Sequence, residues 1–134
     1  MSSKRLTKED IQTSHGILNP VGHVVLAFKD DSIATDAVKS LLGAGLVHED
    51  ILLYTAAEAT PRLRDRVRST SESAGFGYEI TLMRRYLSLA EVGAGWLIVY
   101  APSDTVANRI SDIATSHAAL CAVRYHRLAT EDLI

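Results

Sequence analysis

Three short runs in this chain are apolar at every position, not at alternate ones: Val24–Phe28, Ile51–Tyr54 and Trp96–Ala101. Successive side chains of a strand point to opposite faces, so strands like these fit a sheet covered on both sides. A fourth run, residues 120–128, behaves differently: Cys121, Val123 and Tyr125 alternate with Ala122, Arg124 and His126. Its period of two, with one polar face, predicts an edge strand or a strand with one wet face.

Helical patterns separate these runs. Asp30, Asp31 and Ser32 offer capping side chains, and Ala34, Ala37, Val38, Leu41 and Leu42 then share a face that Gly43 and Gly45 close. Thr60–Pro61 reads as a cap followed by proline at the first helical position. The helix it opens is thinly apolar, with Leu63 and Val67 as anchors among Arg62, Arg64, Arg66 and Arg68. Ser69–Ser73 and Gly75–Phe76–Gly77 read as a break and a hinge. Ile80, Met83, Leu87 and Ala90 form the face of a more apolar helix, widened by Leu82, Tyr86 and Leu89 and stopped by Gly93–Ala94–Gly95. Pro102–Ser103–Asp104 opens a last helix with a stripe of Val106, Ile110, Ile113 and Ala114.

Sliding the sequence by 72 positions aligns the first strand–helix–strand pattern with the last, setting Val24 on Trp96, Leu26 on Ile98, Val38 on Ile110 and Ile51 on Val123. The expected fold is therefore α+β and ferredoxin-like, a split βαβ with two pseudo-repeats and a two-helix insertion between strands 2 and 3. The alternative is a parallel three-layer α/β/α sheet, with the middle helices acting as a crossover. A chain of 134 residues suits one domain. We expect a mobile N-terminal arm over residues 1–20, with a short helix starting near Thr7 and Asp10, followed by a single domain over 21–134. Within it lie βαβ 22–57, the helical insertion 60–93 and βαβ 95–128. Two repeat helices cover only one sheet face, so either the apolar helix or a second copy of the chain covers the other. On this ground we expect a homo-oligomer, most simply a two-fold dimer.

The net charge of −2 gives no global attraction to nucleic acid or to an anionic membrane. Residues 1–20 lack the apolar core of a signal peptide, and no apolar run approaches the roughly 20 residues of a membrane span. A soluble, cytoplasmic protein is expected. Cys121 is the only cysteine and sits in an apolar strand, which fits a packed, inert thiol. His15, His23, His48, His117 and His126 form no H-x-H or H-x-x-x-H pair, so metal-ligand spacing is missing. There is no G-x-S-x-G elbow, and neither glycine cluster joins a strand to a helix as a phosphate loop does. No cofactor and no catalytic residue are assigned from sequence.

The sharpest charged feature is the arginine series. Arg62 and Arg66 share one helical side and, with Arg84 and Arg85, form the candidate anion-binding set; the plainer reading is a solvated face partly neutralised by Asp65 and Glu72. Tyr54, Tyr86, Tyr100 and Tyr125 suit a small pocket, or simply packing.

The first unit, written VVLAFKDDSIATDAVKSLLGAGLVHEDILLY, resembles the opening domain of the YflT-like general stress proteins. It shares an apolar strand, an acidic helix start, alanine-rich faces and a glycine-terminated helix leading to a second strand. The resemblance covers residues 22–57 and implies a small bacterial stress-associated protein with no assigned chemistry. Three functions follow as expectations: a non-enzymatic binding or interaction module with an unknown ligand; a sensor binding a small anion at the Arg62–Arg68 helix; or an enzyme built from residues such as His23, His48, Tyr86 or Arg85. The first is preferred.

Overall fold

The computed structural model describes residues 4–13, 19–72, 77–127 and 129–134, without the side chains of 13, 70–72 and 77–79. In chain order it contains α1 (Lys8–Thr13), β1 (His23–Phe28), α2 (Asp31–Gly43), a 3₁₀ turn (His48–Asp50), β2 (Ile51–Tyr54), α3 (Ala56–Glu72), α4 (Gly77–Glu91), β3 (Gly95–Tyr100), α5 (Asp104–Ser116), β4 (Cys121–Tyr125) and β5 (Thr130–Asp132). The α+β class holds. No helix of the described residues is long and apolar enough to cross a membrane.

The five strands form one sheet in the order β2-β3-β1-β4-β5, and every pairing is antiparallel. This overturns the parallel three-layer alternative. The reason lies in the segment between β2 and β3, which holds two helices packed along each other. An out-and-back helical pair returns the chain to the end of the sheet it left, whereas a single crossover helix delivers it to the opposite end. The strand expected over 120–128 stops at Tyr125, and β5 then pairs outside it. So β4 is not an edge, and four of its five side chains are buried.

Side chains divide cleanly between the sheet's two faces. Val24, Leu26, Phe28, Leu97, Val99 and Ala122 pack against Ala34, Ala37 and Leu41 of α2 and Ala107, Ile110 and Ala114 of α5. On the other face Val25, Ala27, Trp96, Ile98, Cys121, Val123 and Tyr125 meet Ile11 of α1, Ala59 and Leu63 of α3, and Leu82, Met83, Tyr86 and Ala90 of α4. Of the two covers considered for that second face, the chain's own helices provide it.

The alignment by 72 positions fails on this evidence of faces. Val24 looks toward α2 and α5, but Trp96 looks toward α3 and α4. A spacing of 73 restores agreement: Val24 with Leu97, Leu26 with Val99, Ala37 with Ile110, and Leu41 with Ala114. The N-caps Asp30 and Ser103 also match at this spacing, each accepting from the amide three residues on. So do the left-handed residues that follow the helices, Gly45 and Ala118. A one-residue slip reverses every side chain of a strand, which is why a gapless match of apolar letters misled.

Two boundaries also shift, and so does the buried face of α4. Helix α3 starts at Ala56, not at Thr60, because Thr55 and Glu58 form a reciprocal capping box. Pro61 therefore lies inside the helix. The break expected at Ser69–Ser73 is helical through Glu72, while residues 73–76, including Gly75 and Phe76, lie outside the described residues. In α4 the buried residues are Leu82, Met83, Tyr86 and Ala90, and Leu87 is half-buried at the margin. That helix ends as expected, with Gly93 at φ 102° and the Ala94 amide donating to the Leu89 carbonyl.

Part of the N-terminal segment is docked. Thr7 caps α1 by accepting from the Asp10 amide, and Asp10 accepts from the Thr7 amide in return. Ile11 is buried in the core. Residues 1–3 and 14–18 lie outside the described residues.

Candidate ligand cavity

Between α1, α3 and the sheet lies a cavity of about 340 Å³. Its floor is Val25, Trp96 and Ile98 of the central strands, and Tyr54 closes one side at the end of β2. Tyr54 and Trp96 are direct partners in the β2–β3 register, so strand pairing sets the two rings side by side. The roof comes from α3, whose Ala59, Arg62, Leu63 and Arg66 recur every three or four residues and share one helical side. Its placement is set at Thr55 by the capping box and by the Ala56 amide, which donates to Asp31 of α2 over 2.9 Å. Ile11 and Gln12 of α1 and Tyr86 of α4 complete the wall.

Tyr86 is fixed on two sides. Its ring meets Trp96 edge to face, with centroids 5.2 Å apart, and its hydroxyl shares a 2.9 Å hydrogen bond with that of Tyr125. Tyr54 and Trp96 differ. Both residues are about 95% buried, yet Tyr54 Oη and Trp96 Nε1 have no hydrogen-bond partner among the described residues. A buried polar group left unsatisfied costs about 1–3 kcal/mol, and such groups are rare in native proteins. Both belong to residues that line the cavity, although the two atoms themselves are closed to solvent.

Positive charge gathers at the same place. Lys8 Nζ sits 4.6 Å from the Tyr54 ring centroid and Arg62 Cζ 5.6 Å from it, both within cation–π range. The Arg66 guanidinium donates to the Ile11 carbonyl over 2.8 Å, tying α3 to α1. Burial pushes the Tyr54 phenol above its ordinary value, while Arg62 acts in the opposite sense and more weakly, so the hydroxyl stays protonated near neutrality. Burial also lowers Arg66, which an arginine tolerates without losing its charge. The carboxylate at the rim, Asp65, is exposed and lies 3.7 Å from Arg68.

Of the four arginines singled out from the sequence, the structure brings Arg62 and Arg66 to the cavity. Arg84 and Arg85 do not line it; both are exposed on α4, and Arg85 reaches the Leu120 carbonyl at 3.4 Å. Arg64 instead joins α3 to α4 through Glu91, also at 3.4 Å. Tyr54 and Tyr86 line the cavity, Tyr125 stands behind Tyr86, and Tyr100 packs against His23 with ring centroids 5.2 Å apart.

The residues considered for an enzyme do not converge. His23 is buried between a backbone donor and a backbone acceptor, His48 is exposed in the 3₁₀ turn, and Arg85 is exposed. Burial pushes the Cys121 thiol up to about 11, so it is neutral and unreactive at ordinary pH. Among the described residues no three His, Cys, Asp or Glu side chains lie close enough to hold a metal ion.

Sequence reasoning missed Trp96 as a site residue and missed the part of α1. The signal for the site was Thr55–Ala–Ala–Glu58, a capping-box spacing directly after a strand. It starts α3 early enough to carry Arg62 over Tyr54. Comparison of the chain with family models, with curated proteins and with solved structures finds no match.

Proposed function

We propose that this chain is a non-enzymatic binding module whose cavity takes a small, largely apolar molecule bearing a hydrogen-bonding group. The observation that carries this reading is the cavity together with Tyr54 Oη and Trp96 Nε1, two buried polar atoms without a partner among the described residues, both on residues that line it. A ligand that reaches both, after a small shift of the rings that close them to water, removes a penalty that the empty protein bears. The volume of about 340 Å³ is at the small end of the range for ligand sites, about 300–1,000 Å³. Binding is preferred to turnover because the wall supplies donors and apolar surface, and its carboxylate, Asp65, faces Arg68 at the rim. Trp96 is the only tryptophan, so its emission reports the cavity directly. Titration with the matched eight-carbon compounds 1-octanol and octanoate is expected to give a saturable change with at least one of them, lost in Tyr54→Phe/Trp96→Phe as judged by a thermal-melting shift. No saturable change with either compound would sink the reading.

The strand order β2-β3-β1-β4, with α2 and α5 on one face, supports reading the core as ferredoxin-like with α3 and α4 as an insertion. A second reading, an interaction module that forms a homodimer, draws on β2. This strand ends the sheet, and its Ile51, Leu52 and Leu53 are only half-buried. Antiparallel pairing of β2 with β2 of a second copy gives a two-fold dimer, and a single monomer mass in sedimentation equilibrium at low micromolar concentration would exclude it. A stress-associated cytoplasmic role, implied by the YflT-like resemblance of residues 22–57, joins the proposal. Protein abundance before and after heat or salt stress tests that part.

A further inference from the structure

We infer that the cavity's ligand is an amphipathic carboxylate, an anionic head on an apolar body, with the head held at Arg62 and Arg66. This rests on the binding reading above and adds the chemical class. The argument is one of donors and acceptors. Trp96 Nε1 can only donate, Tyr54 Oη can donate, and the guanidiniums of Arg62 and Arg66 donate without accepting. A wall with this bias suits a ligand rich in acceptors. An alcohol or amide meets it partly, whereas a carboxylate brings two oxygens, about four lone-pair directions and a full charge.

The charge is matched locally. Arg62 and Arg66 line the cavity, and Lys8, not itself a lining residue, lies with Arg62 against the Tyr54 ring, so two cations stand in the wall with a third close by. Asp65 and Glu58 partly offset them but have neighbours of their own: Asp65 lies 3.7 Å from Arg68, and Glu58 accepts from Thr55 and approaches Lys8 at 3.9 Å. Much of the remaining lining is apolar, with Val25, Leu63 and Ile98 among it. That favours a single head with an apolar tail over a polyanion. Guanidinium also favours carboxylate geometrically, since its fork can donate two parallel bonds.

The test compares octanoate with 1-octanol, which share a tail length and differ in the head. Trp96 emission is the readout for the wild type, Arg62→Gln, Arg62→Lys and the double variant Arg62→Gln/Arg66→Gln. Octanoate is expected to bind about tenfold more tightly than octanol at low ionic strength, as a charge-assisted hydrogen bond would provide. Arg62→Gln should reduce that preference several-fold, Arg62→Lys should retain part of it, and the double variant should bring it close to parity. Arg62 is exposed, so its variants keep the test intact even where loss of the Arg66–Ile11 contact unfolds the double variant. Added salt should weaken octanoate binding and leave octanol unchanged. Equal affinity for the two compounds, or a preference for octanoate indifferent to Arg62, overturns the carboxylate assignment while leaving the cavity a binding site. Failure of both compounds to bind overturns both proposals.

Discussion

The Leu6 amide donates to Nε2 of His23 over 3.1 Å, and His23 Nδ1 lies 3.0 Å from the Val21 carbonyl. The two contacts fix one neutral tautomer, with the proton on Nδ1 and a lone pair facing the incoming N–H. Protonation would set two donors against each other inside the protein. Burial accordingly holds His23 below 6.5, despite opposing contributions from the Val21 carbonyl and from Asp50. The linkage sign follows. A depressed folded value means the unfolded chain binds the proton first, so the stabilisation is complete above 6.5 and is lost as the pH falls through the folded value. The urea midpoint is therefore expected to fall between pH 7.5 and 5.5, before the carboxylates of Asp10 and Glu58 begin to titrate. His23→Gln, which can accept from Leu6 and donate to Val21 at any pH, should flatten that slope. An unchanged slope would remove His23 as its cause.

Burial in α4 separates two neighbouring apolar residues. Met83 is 1% exposed, whereas Leu87, one turn later, is half-buried at the edge of the same cluster. Met83→Ala is expected to cost about 2–5 kcal/mol, the range for truncation of a packed side chain. Leu87→Ala should cost less than Met83→Ala, because part of its surface is already in water. Equilibrium urea unfolding of both variants checks the order. A larger loss at Leu87 would place the helix in a different rotation from the one seen.

How much of this was legible in the sequence depends on which physical signal a segment carries. The positions of β1, β2 and β3, the caps at Asp30 and Ser103 and the glycine stop at Gly93 follow from local chemistry, and the structure has them where that chemistry puts them. The face of each strand did not follow. Because β1 beyond His23 and β3 beyond Gly95 are apolar at every position, their letters contain no period, and spacings of 72 and 73 look alike. Only the cap pair and the helix stripes distinguish them, since Asp30 meets the cap Ser103 at 73 and Pro102 at 72. Thr60–Pro61 and Thr55–Glu58 both spell a helix start, and the reciprocal box is the stronger of the two. The cavity was beyond reach for a different reason: its wall joins α1, β1, β2, α3, α4 and β3, and no local pattern reports such distant meetings.

The Thr55 box has a measurable weight. Its hydroxyl accepts from the Glu58 amide over 3.1 Å, while Glu58 accepts from the Thr55 amide over 3.0 Å. Thr55→Ala removes the first bond and is expected to cost about 1 kcal/mol, with Thr55→Ser recovering most of it. Since this cap also sets where α3 crosses Tyr54, the alanine variant should weaken octanoate binding along with stability. Thr55→Ala matching wild type in both urea unfolding and titration would show that Ala56–Asp31 alone positions the helix.

Gly95 and Gly43 make a pair of opposite sign. At Gly95, the first residue of β3, an added Cβ would lie 2.9 Å from Ala34 Cβ, the Asp30 carbonyl oxygen and Asp31 Cα. Two of these three atoms belong to the backbone and cannot rotate aside. They also belong to the start of α2, where Asp30 caps Ile33 over 2.8 Å and Asp31 receives the Ala56 amide. A methyl group here pushes α2 away from the sheet and disturbs the anchor of α3 as well. Overpacking of this kind typically costs about 1–3 kcal/mol. At Gly43, the last residue of α2, a new Cβ meets nothing within 4 Å and the backbone is not left-handed. Alanine there restricts the unfolded chain without a clash and should stabilise by about 0.4–1 kcal/mol. Thermal melting of Gly95→Ala and Gly43→Ala should therefore shift in opposite directions from wild type. A Gly95→Ala protein as stable as the parent would mean that β3 and the start of α2 do not approach this closely.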